Sequence, residues 1–304
     1  YIDPATGIWV HSVYRKDTAE LAHTLSGLDI VLVDIQDVGT RLYTFVWTLF
    51  SLMQAASRMQ SPPSFLVADR PNPLGGLAVE GPLLNTSCCA SRYGLAAVPH
   101  RHGLTVGEAA LFFAATLASA NTSRPALNVS VARLSHWRRS YLFRQTGLPW
   151  LPPSPNLPTA DSAIAYAATV FVEATTASEG RGTTTPFQLI GAPFLNASRF
   201  ASRLENGAPP SPSKPPAPPA PPSPRHWRPA FFIPTWFKWN GSACAGAELV
   251  RPSSVGLFRQ GVHLLAALRS LAQPPSAFAW DGAWFGQPGT VLIDRYAGTP
   301  RLRE

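Results

Sequence analysis

Several features are scarce in this sequence of 304 residues, and each scarcity excludes a class of protein. Charged residues make up only 14%, and the basic ones form neither a Lys/Arg run nor a basic–aromatic stripe, which argues against nucleic-acid binding. No apolar run is long enough to predict a membrane-spanning helix. The Gly-x-Gly-x-x-Gly and Gly-x-Ser-x-Gly patterns are absent, so the usual signatures of dinucleotide binding and of serine hydrolases are missing.

Cysteine is also scarce: the chain contains only Cys88, Cys89 and Cys244. They form no Cys-x-x-Cys pair and no His/Cys cluster with zinc spacing, so the sequence predicts no metal site. Adjacent cysteines rarely bond each other, which leaves a bridge from one of them to Cys244 open, with the third cysteine left over.

The most informative pattern that is present is a βαβ unit near the start of the chain. Two short apolar runs, Ile30–Ile35 and Phe65–Ala68, flank a segment from Leu42 to Ala56 with apolar residues at helical spacing. Strand, crossover helix and strand in this order predict two parallel strands. With 45% hydrophobic residues, the chain can bury a core of one large or two modest domains.

Charged side chains follow both predicted strands. Asp34, Asp37 and Arg41 come after the first strand, and Asp69 and Arg70 come after the second. Because open α/β sheets bind ligands at the carboxyl ends of their strands, these residues predict a pocket for a polar small molecule.

Other roles for the same residues remain open. Asp37 is either a ligand-binding residue or the cap of a helix that begins near Thr40. An Asp–Arg salt bridge that shapes the loop and a sugar-binding pair are equally good interpretations of Asp69 and Arg70.

The rest of the chain predicts further alternation of helices and strands. Thr105 and Glu108 form a capping box that opens a helix. The other predicted elements are that helix through Ala118, strand 128–134, a helix over 161–169 capped by Thr159, strands 170–173, 231–238 and 247–250, and helix 256–271. We expect domains at 1–150 and 151–304, with a polyproline-like surface insertion at 209–224 that can be deleted with little effect on folding.

Six motifs occur in an order that resembles one known family. They are DIQDVGTRLYTF, DRPNPLGG with VEGP, RHGLTVGE, PSPNLPT, SEGRGTTTPF and IDRYAGTPRLR. Together they resemble the NamZ-like exo-β-N-acetylmuramidases, a glycoside hydrolase family formerly catalogued as a domain of unknown function. The resemblance implies a Rossmann-like, doubly wound parallel sheet with a smaller α+β domain. It also implies release of N-acetylmuramic acid from peptidoglycan fragments without metal or nucleotide cofactor. Members begin earlier, with a Pro-Glu-His-Gly motif, so we expect an amino-terminally truncated chain that lacks this Glu-His pair.

The same motifs imply the residues of the site. The implied catalytic residues are Asp37, Glu80 and Glu179. The implied substrate-binding residues are Asp34, Arg41, Tyr43, Asp69, Arg70, Asn72, His102, Asn156 and Arg181. Arginine binds carboxylates bidentately, and N-acetylmuramic acid carries a lactyl carboxylate, so Arg181 is the expected contact for that group.

Three of these residues have structural alternatives. Arg181 could brace Glu179 instead of binding substrate. A lone Glu80 between Val and Gly is also typical of an edge strand, and His102 could pack at the start of the following helix.

Two other functions compete with the glycosidase. One is a catalytically silent carbohydrate-binding homologue, and the other is a nucleotide-dependent Rossmann enzyme. Asn-x-Ser/Thr sequons in excess of chance favour a secretory or lysosome-like route, although the sequon asparagine Asn196 also stands where a helix cap belongs. The five sequons begin at Asn85, Asn121, Asn128, Asn196 and Asn240.

Overall fold

The computed structural model describes residues 1–120, 126–206, 226–286 and 291–303. The strands in these ranges are β1 (Ile30–Val33), β2 (Ser64–Ala68), β3 (Glu80–Leu83), β4 (Pro99–Arg101), β5 (Val129–Ala132), β6 (Leu189–Ala192), β7 (Trp227–Phe232) and β8 (Cys244–Leu249). The α-helices are α1 (Thr18–Leu25), α2 (Phe45–Ala56), α3 (Thr86–Cys89), α4 (Val106–Ala120), α5 (Ala160–Thr169), α6 (Ala197–Asn206), α7 (Leu257–Leu271) and α8 (Val291–Ala297). The predicted insertion at 209–224 lies outside the described residues.

The chain forms two units. Unit 1 comprises 1–78, 84–98 and 102–146, and unit 2 comprises 79–83, 99–101 and 147–304. Strands β3 and β4 therefore belong to unit 2, although both lie in the sequence range expected for the first domain. The expectation of a second domain is confirmed, and unit 2 is the longer of the two units in this chain.

Unit 1 contains the predicted parallel sheet. Strand β1 pairs with β2, β2 pairs with β5, and both pairings are parallel. The βαβ prediction is therefore confirmed. Helix α2 forms because its apolar side chains recur at helical spacing, and Val46, Leu49, Phe50 and Met53 are all buried in the core of this unit.

The start of α4 is as predicted. The Thr105 hydroxyl accepts from the Glu108 N–H, and the Glu108 carboxylate accepts from the Thr105 N–H. The predicted helix cap at Asp37 is wrong, because α2 begins only at Phe45, after Thr44. Asp37 instead accepts from the N–H of Gly39 and closes the turn after β1.

Unit 2 is built from antiparallel sheets and helices. One sheet has the order β6-β8-β7, and β3 pairs with β4 in the other. The prediction of α+β structure is confirmed here, as are α5 with its Thr159 cap and α7.

Two strand predictions in unit 2 need correction. Residues 170–173 are not a strand but belong to a buried 3-10 helix, Val170–Ala174, that continues from α5. A short apolar run with β-branched residues can be buried as a strand or as a helix, so the composition of 170–173 does not distinguish the two. The strand expected at 231–238 is β7, which ends at Phe232.

The cysteines also differ from the open expectation. Cys88 and Cys89 bond each other, and Cys244 is a buried free thiol. Burial raises the pKa of this thiol to about 11, which keeps it protonated and unreactive.

Candidate active site

The carboxyl ends of β1 and β2 carry a salt bridge between neighbouring strands. Arg70 Nε donates to Asp34 Oδ1 at 2.5 Å, so Arg70 pairs with Asp34 and not with Asp69. This hydrogen bond holds the pKa of Asp34 below its ordinary value and raises the pKa of Arg70. The pair is well exposed, so it is screened by solvent and contributes little to stability.

Asp69 is held by backbone groups. Its Oδ1 accepts from the N–H of Gly107, in the first turn of α4, at 2.8 Å and from its neighbour Arg70 at 3.0 Å. A side chain at position 107 would place a Cβ 3.0 Å from the Asp69 carboxyl carbon, so the glycine is required for this approach. Asp69 therefore joins the end of β2 to the start of α4.

Asp37 and His102 form the second ionisable pair of unit 1. Both side chains are buried, and His102 Nε2 lies 3.6 Å from Asp37 Oδ2. His102 Nδ1 accepts from the Leu104 N–H, so a neutral imidazole carries its proton on Nε2, the nitrogen that faces the carboxylate. The other carboxylate oxygen, Asp37 Oδ1, is buried and has no hydrogen-bond partner among the described residues. The predicted packing of His102 at a helix start therefore coexists with a polar contact.

The remaining predicted residues of unit 1 are held by contacts of their own. Asn72 Nδ2 donates to the Leu104 carbonyl, and Asn72 Oδ1 accepts from the Leu74 N–H, so this side chain clamps its loop. Arg41 is buried, donates to the Tyr93 carbonyl, and has its pKa lowered to about 10 by desolvation. Burial, with the nearby charge of Asp37, raises the pKa of Tyr43.

Glu80 belongs to unit 2 and uses both carboxylate oxygens there. Arg101 donates to Oε1 at 2.6 Å, and the Phe258 N–H at the start of α7 donates to Oε2 at 3.0 Å. The interpretation of Glu80 as a strand residue is confirmed, because it opens β3. Its catalytic role stays a prediction. Asn156, also in unit 2, is half-buried in the proline-rich loop, where its N–H donates to Ser154 Oγ.

Unit 2 also contains a buried charge cluster, which consists of Glu173, Glu179, Arg181, Lys238 and Tyr296. Arg181 Nη2 and the Tyr296 hydroxyl both donate to the Glu173 carboxylate. Arg181 Nε lies 3.1 Å from Glu179 Oε1, and Lys238 Nζ lies 3.2 Å from Glu179 Oε2. The arginine thus braces both acids, and two carboxylates balance two cations.

Lys238 is the most constrained member of the cluster. Its side chain is buried, and Nζ lies between 2.8 and 3.1 Å from four backbone carbonyl oxygens. Those carbonyls belong to Val172, Glu173, Thr175 and Ala177. The ammonium therefore fixes the path of the chain that leads to Glu179.

Burial and the charged neighbours together shift the pKa values of Glu173 and Arg181. Desolvation raises the pKa of Glu173, partly offset by Arg181 and by the Tyr296 hydrogen bond. Desolvation acts to lower the pKa of Arg181, but the two carboxylates more than offset it and raise that pKa. Arg181 therefore stays charged, and the exposed fraction of its side chain is 17%.

The loop that carries Arg181 needs its two glycines. Gly180 and Gly182 both have φ of 80°, in the left-handed region. A Cβ at position 182 would lie 2.6 Å from backbone atoms of Trp236, so the close approach also excludes a side chain. Among the described residues, Arg181 Nη1 makes no hydrogen bond. A ligand carboxylate would therefore be bound through this nitrogen and not through the bidentate fork that the sequence predicts.

Sequence reasoning missed Glu173, Lys238 and Tyr296. Glu173 lay in a predicted strand, and Lys238 stood alone among aromatic residues. Tyr296 lies in the IDRYAGTPRLR motif, which was the available signal. No group of His, Cys, Asp and Glu in the described ranges is arranged to hold a metal ion, and none of the helices there is both long and apolar enough to cross a membrane.

Comparison with known proteins gives consistent matches along the chain. The family models described as exo-beta-N-acetylmuramidase NamZ, N-terminal, and NamZ, C-terminal, match residues 1–161 and 164–304. A peptidoglycan beta-N-acetylmuramidase NamZ from Bacillus subtilis strain 168 is 41% identical over 249 residues, or 82% of this chain. The chain spans 55% of that relative's length.

Solved structures with the same fold come from Bacteroides fragilis. Two DUF1343 family proteins of that organism each match over 99% of this chain. One is 27% identical with a TM-score of 0.78 and is covered over 73% of its chain. The other is 26% identical with a TM-score of 0.72 and is covered over 72%.

Proposed function

The chain belongs to the NamZ exo-β-N-acetylmuramidase family, and from this membership we propose that it releases N-acetylmuramic acid from peptidoglycan fragments as an exo-acting glycosidase. The observation that carries the proposal is the match of both family models, which together extend over nearly the whole chain. The 41% identity to a peptidoglycan muramidase supports the same substrate.

The chemistry of the proposed reaction needs a proton donor for the leaving oxygen and a carboxylate on the opposite side of the sugar. We assign these roles among Asp37, Glu80 and Glu179. Asp37 is supported by its buried, unpartnered oxygen and by the facing imidazole of His102. Glu179 is supported by its burial and by its contacts with two cations, Arg181 and Lys238.

Recognition of the substrate's lactyl carboxylate is assigned to Arg181. Its charge is secured by two carboxylates, and its Nη1 remains available beside a glycine-supported loop. A charge-assisted hydrogen bond to this nitrogen would distinguish N-acetylmuramic acid from N-acetylglucosamine, which lacks the acid.

The first prediction tests the reaction itself. The protein that contains this chain, incubated with the disaccharide N-acetylmuramyl-N-acetylglucosamine, should release free N-acetylmuramic acid, measured by chromatography. Glycan strands without stem peptides, in which the lactyl carboxylate is free, should be shortened only from the non-reducing end. If the disaccharide is bound but not cleaved, the protein is a carbohydrate-binding homologue and the proposed activity is wrong.

The finer description of unit 1 is part of the same proposal. We infer that β1, β2 and β5 belong to a Rossmann-like, doubly wound sheet, with ligands at the carboxyl ends of the strands. The parallel pairing and the charged residues after β1 and β2 support this inference.

We also propose a secretory or lysosome-like route for the protein. The sequons at Asn85 and Asn240 have exposed asparagines, and the Cys88–Cys89 disulfide fits an oxidising compartment. Two of the sequon asparagines also cap helices: the Asn196 side chain accepts from the Arg199 N–H at the start of α6, and the Asn85 side chain accepts from the Ser87 N–H at the start of α3. Asn121 lies outside the described residues.

The second prediction tests this route. Protein isolated from its native cells should lose mass when treated with an amidase that removes N-linked glycans, as measured by mass spectrometry. Variants Asn85→Gln and Asn240→Gln should each remove one glycan. An unchanged mass in the native protein would contradict the secretory assignment.

A further inference from the structure

Three aromatic rings form an exposed ledge in unit 2, which consists of Trp236, Phe237 and Trp284. The Phe237 ring centroid lies 5.1 Å from that of Trp236 and 4.9 Å from that of Trp284. The two indoles are large apolar groups, yet Trp236 is 54% exposed and Trp284 is 56% exposed. The three rings are therefore contiguous, and the two indoles are open to solvent while Phe237 between them is partly buried.

The backbone holds this ledge in an unfavourable conformation. Phe237 has φ of 73° and Trp239 has φ of 58°, in the left-handed region that bulky residues rarely adopt. Between them, Lys238 points inward to its four carbonyls, and the Trp239 indole N–H donates to the Thr176 carbonyl. These buried contacts anchor the segment that directly follows Trp236 and Phe237. Strain of this kind persists where the surrounding structure enforces it, and it concentrates at functional sites.

The ledge borders the arginine of the buried charge cluster. The Arg181 guanidinium carbon lies 5.5 Å from the Phe237 ring centroid. Thr235, next to the ledge, donates to the Gly182 carbonyl from both its N–H and its hydroxyl. A molecule whose carboxylate reaches Arg181 would therefore have its next part beside the indoles.

We propose that the aromatic ledge is a glycan subsite that stacks against an N-acetylglucosamine residue. This inference rests on the proposed function, in which an N-acetylmuramic acid unit binds Arg181. In peptidoglycan the neighbouring sugar is N-acetylglucosamine, which is uncharged and has a C–H face that matches an indole. The aromatic rings would contact the uncharged N-acetylglucosamine. The Arg181 guanidinium beside them would pair with the carboxylate of the N-acetylmuramic acid, which is the only charged group of the two sugars.

The chemistry favours a sugar over an apolar protein partner. Polar groups adjoin the ledge: Thr235 precedes Trp236 in the chain, and the Arg181 guanidinium lies beside the Phe237 ring. Aromatic side chains beside polar groups suit ligands that have one apolar face and one hydroxylated edge, and tryptophan is enriched among the residues that contribute most to binding.

The third prediction is a binding experiment with tri-N-acetylglucosamine, a neutral probe that lacks the lactyl acid. Binding is measured by isothermal titration calorimetry on the unchanged protein and on variants Trp236→Ala, Trp284→Ala and Trp236→Phe. The two alanine variants should each weaken binding at least tenfold, and Trp236→Phe, which keeps a ring, should weaken it less. The matched control is Trp9→Ala in unit 1, since Trp9 is 66% exposed and should leave binding unchanged.

The outcomes separate the ledge from the reaction. The proposed subsite is wrong if the alanine variants bind the probe as tightly as the unchanged protein does. It is also wrong if the neutral probe does not bind to a protein that cleaves the muramyl disaccharide. Neither result would contradict the proposed reaction. Loss of binding in the alanine variants of a protein that cleaves nothing would support the ledge and refute the reaction. Circular dichroism should show native folding of each variant, since both indoles are exposed.

Discussion

Replacing Lys238 by methionine should lower the free energy of unfolding by about 3–5 kcal/mol. The substitution keeps a flexible chain of similar length but removes the ammonium. Four backbone carbonyls then lose a buried donor, and Glu179 keeps only Arg181 as a counter-ion. Denaturant titration followed by tryptophan fluorescence measures the change.

A matched control lies in the same unit. Arg228 Nη2 pairs with Glu248 at 2.6 Å, but the Arg228 side chain is 63% exposed. Arg228→Met should therefore cost less than about 1 kcal/mol. If both substitutions cost the same, Lys238 is not the tether that the geometry describes.

Arg181→Lys should reduce kcat/KM on N-acetylmuramyl glycosides by about 30-fold or more, with a much smaller effect on N-acetylglucosaminyl glycosides. Lysine is a point charge without a planar fork, so it cannot contact Glu173, Glu179 and a lactyl carboxylate at once. In the structure Glu173 and Glu179 contact Nη2 and Nε of Arg181, so the proposed substrate contact depends on Nη1.

Two controls test whether a loss of activity in Arg181→Lys reflects a lost substrate contact. Arg139→Lys, at a well-exposed pair with Glu108 in unit 1, controls for a general effect of exchanging arginine for lysine. The unfolding free energy of Arg181→Lys must also be measured, because the residue braces two buried acids. Equal losses on both classes of glycoside would make Arg181 a structural brace, and its assignment to the lactyl group would then fail.

The parts of the fold that could be predicted are those set by local pattern. The apolar period of α2 and the two short runs beside it indicate a parallel βαβ unit without distant information. The capping box of Thr105 and Glu108 is likewise local, because all of its donors and acceptors lie within four residues. The six ordered motifs then located most of the candidate site residues.

The parts that could not be predicted depend on contacts far apart in sequence. From its neighbours alone, Lys238 is predicted as an ordinary strand residue. Its role could not be predicted, because its four carbonyl partners lie about sixty residues earlier in the chain. Nothing in the sequence around Glu80 indicates that its carboxylate accepts a hydrogen bond from the distant Phe258 N–H. The 170–173 run fits a strand by composition, and only its position after α5 makes it a 3-10 helix.

The charge balance of the buried cluster also has a consequence for how unit 2 assembles. Its members come from three distant stretches: Glu173 to Arg181, Lys238, and Tyr296. The stretch from Glu173 to Arg181 contains two carboxylates and one cation, so its charge is balanced only when Lys238 is in place. A buried charge without its counter-ion costs several kcal/mol, so we expect this stretch and Lys238 to dock together late in folding, after a long loop has closed. This requirement makes unit 2 cooperative: a partly assembled form gains little from its apolar core while an unpaired charge remains inside it.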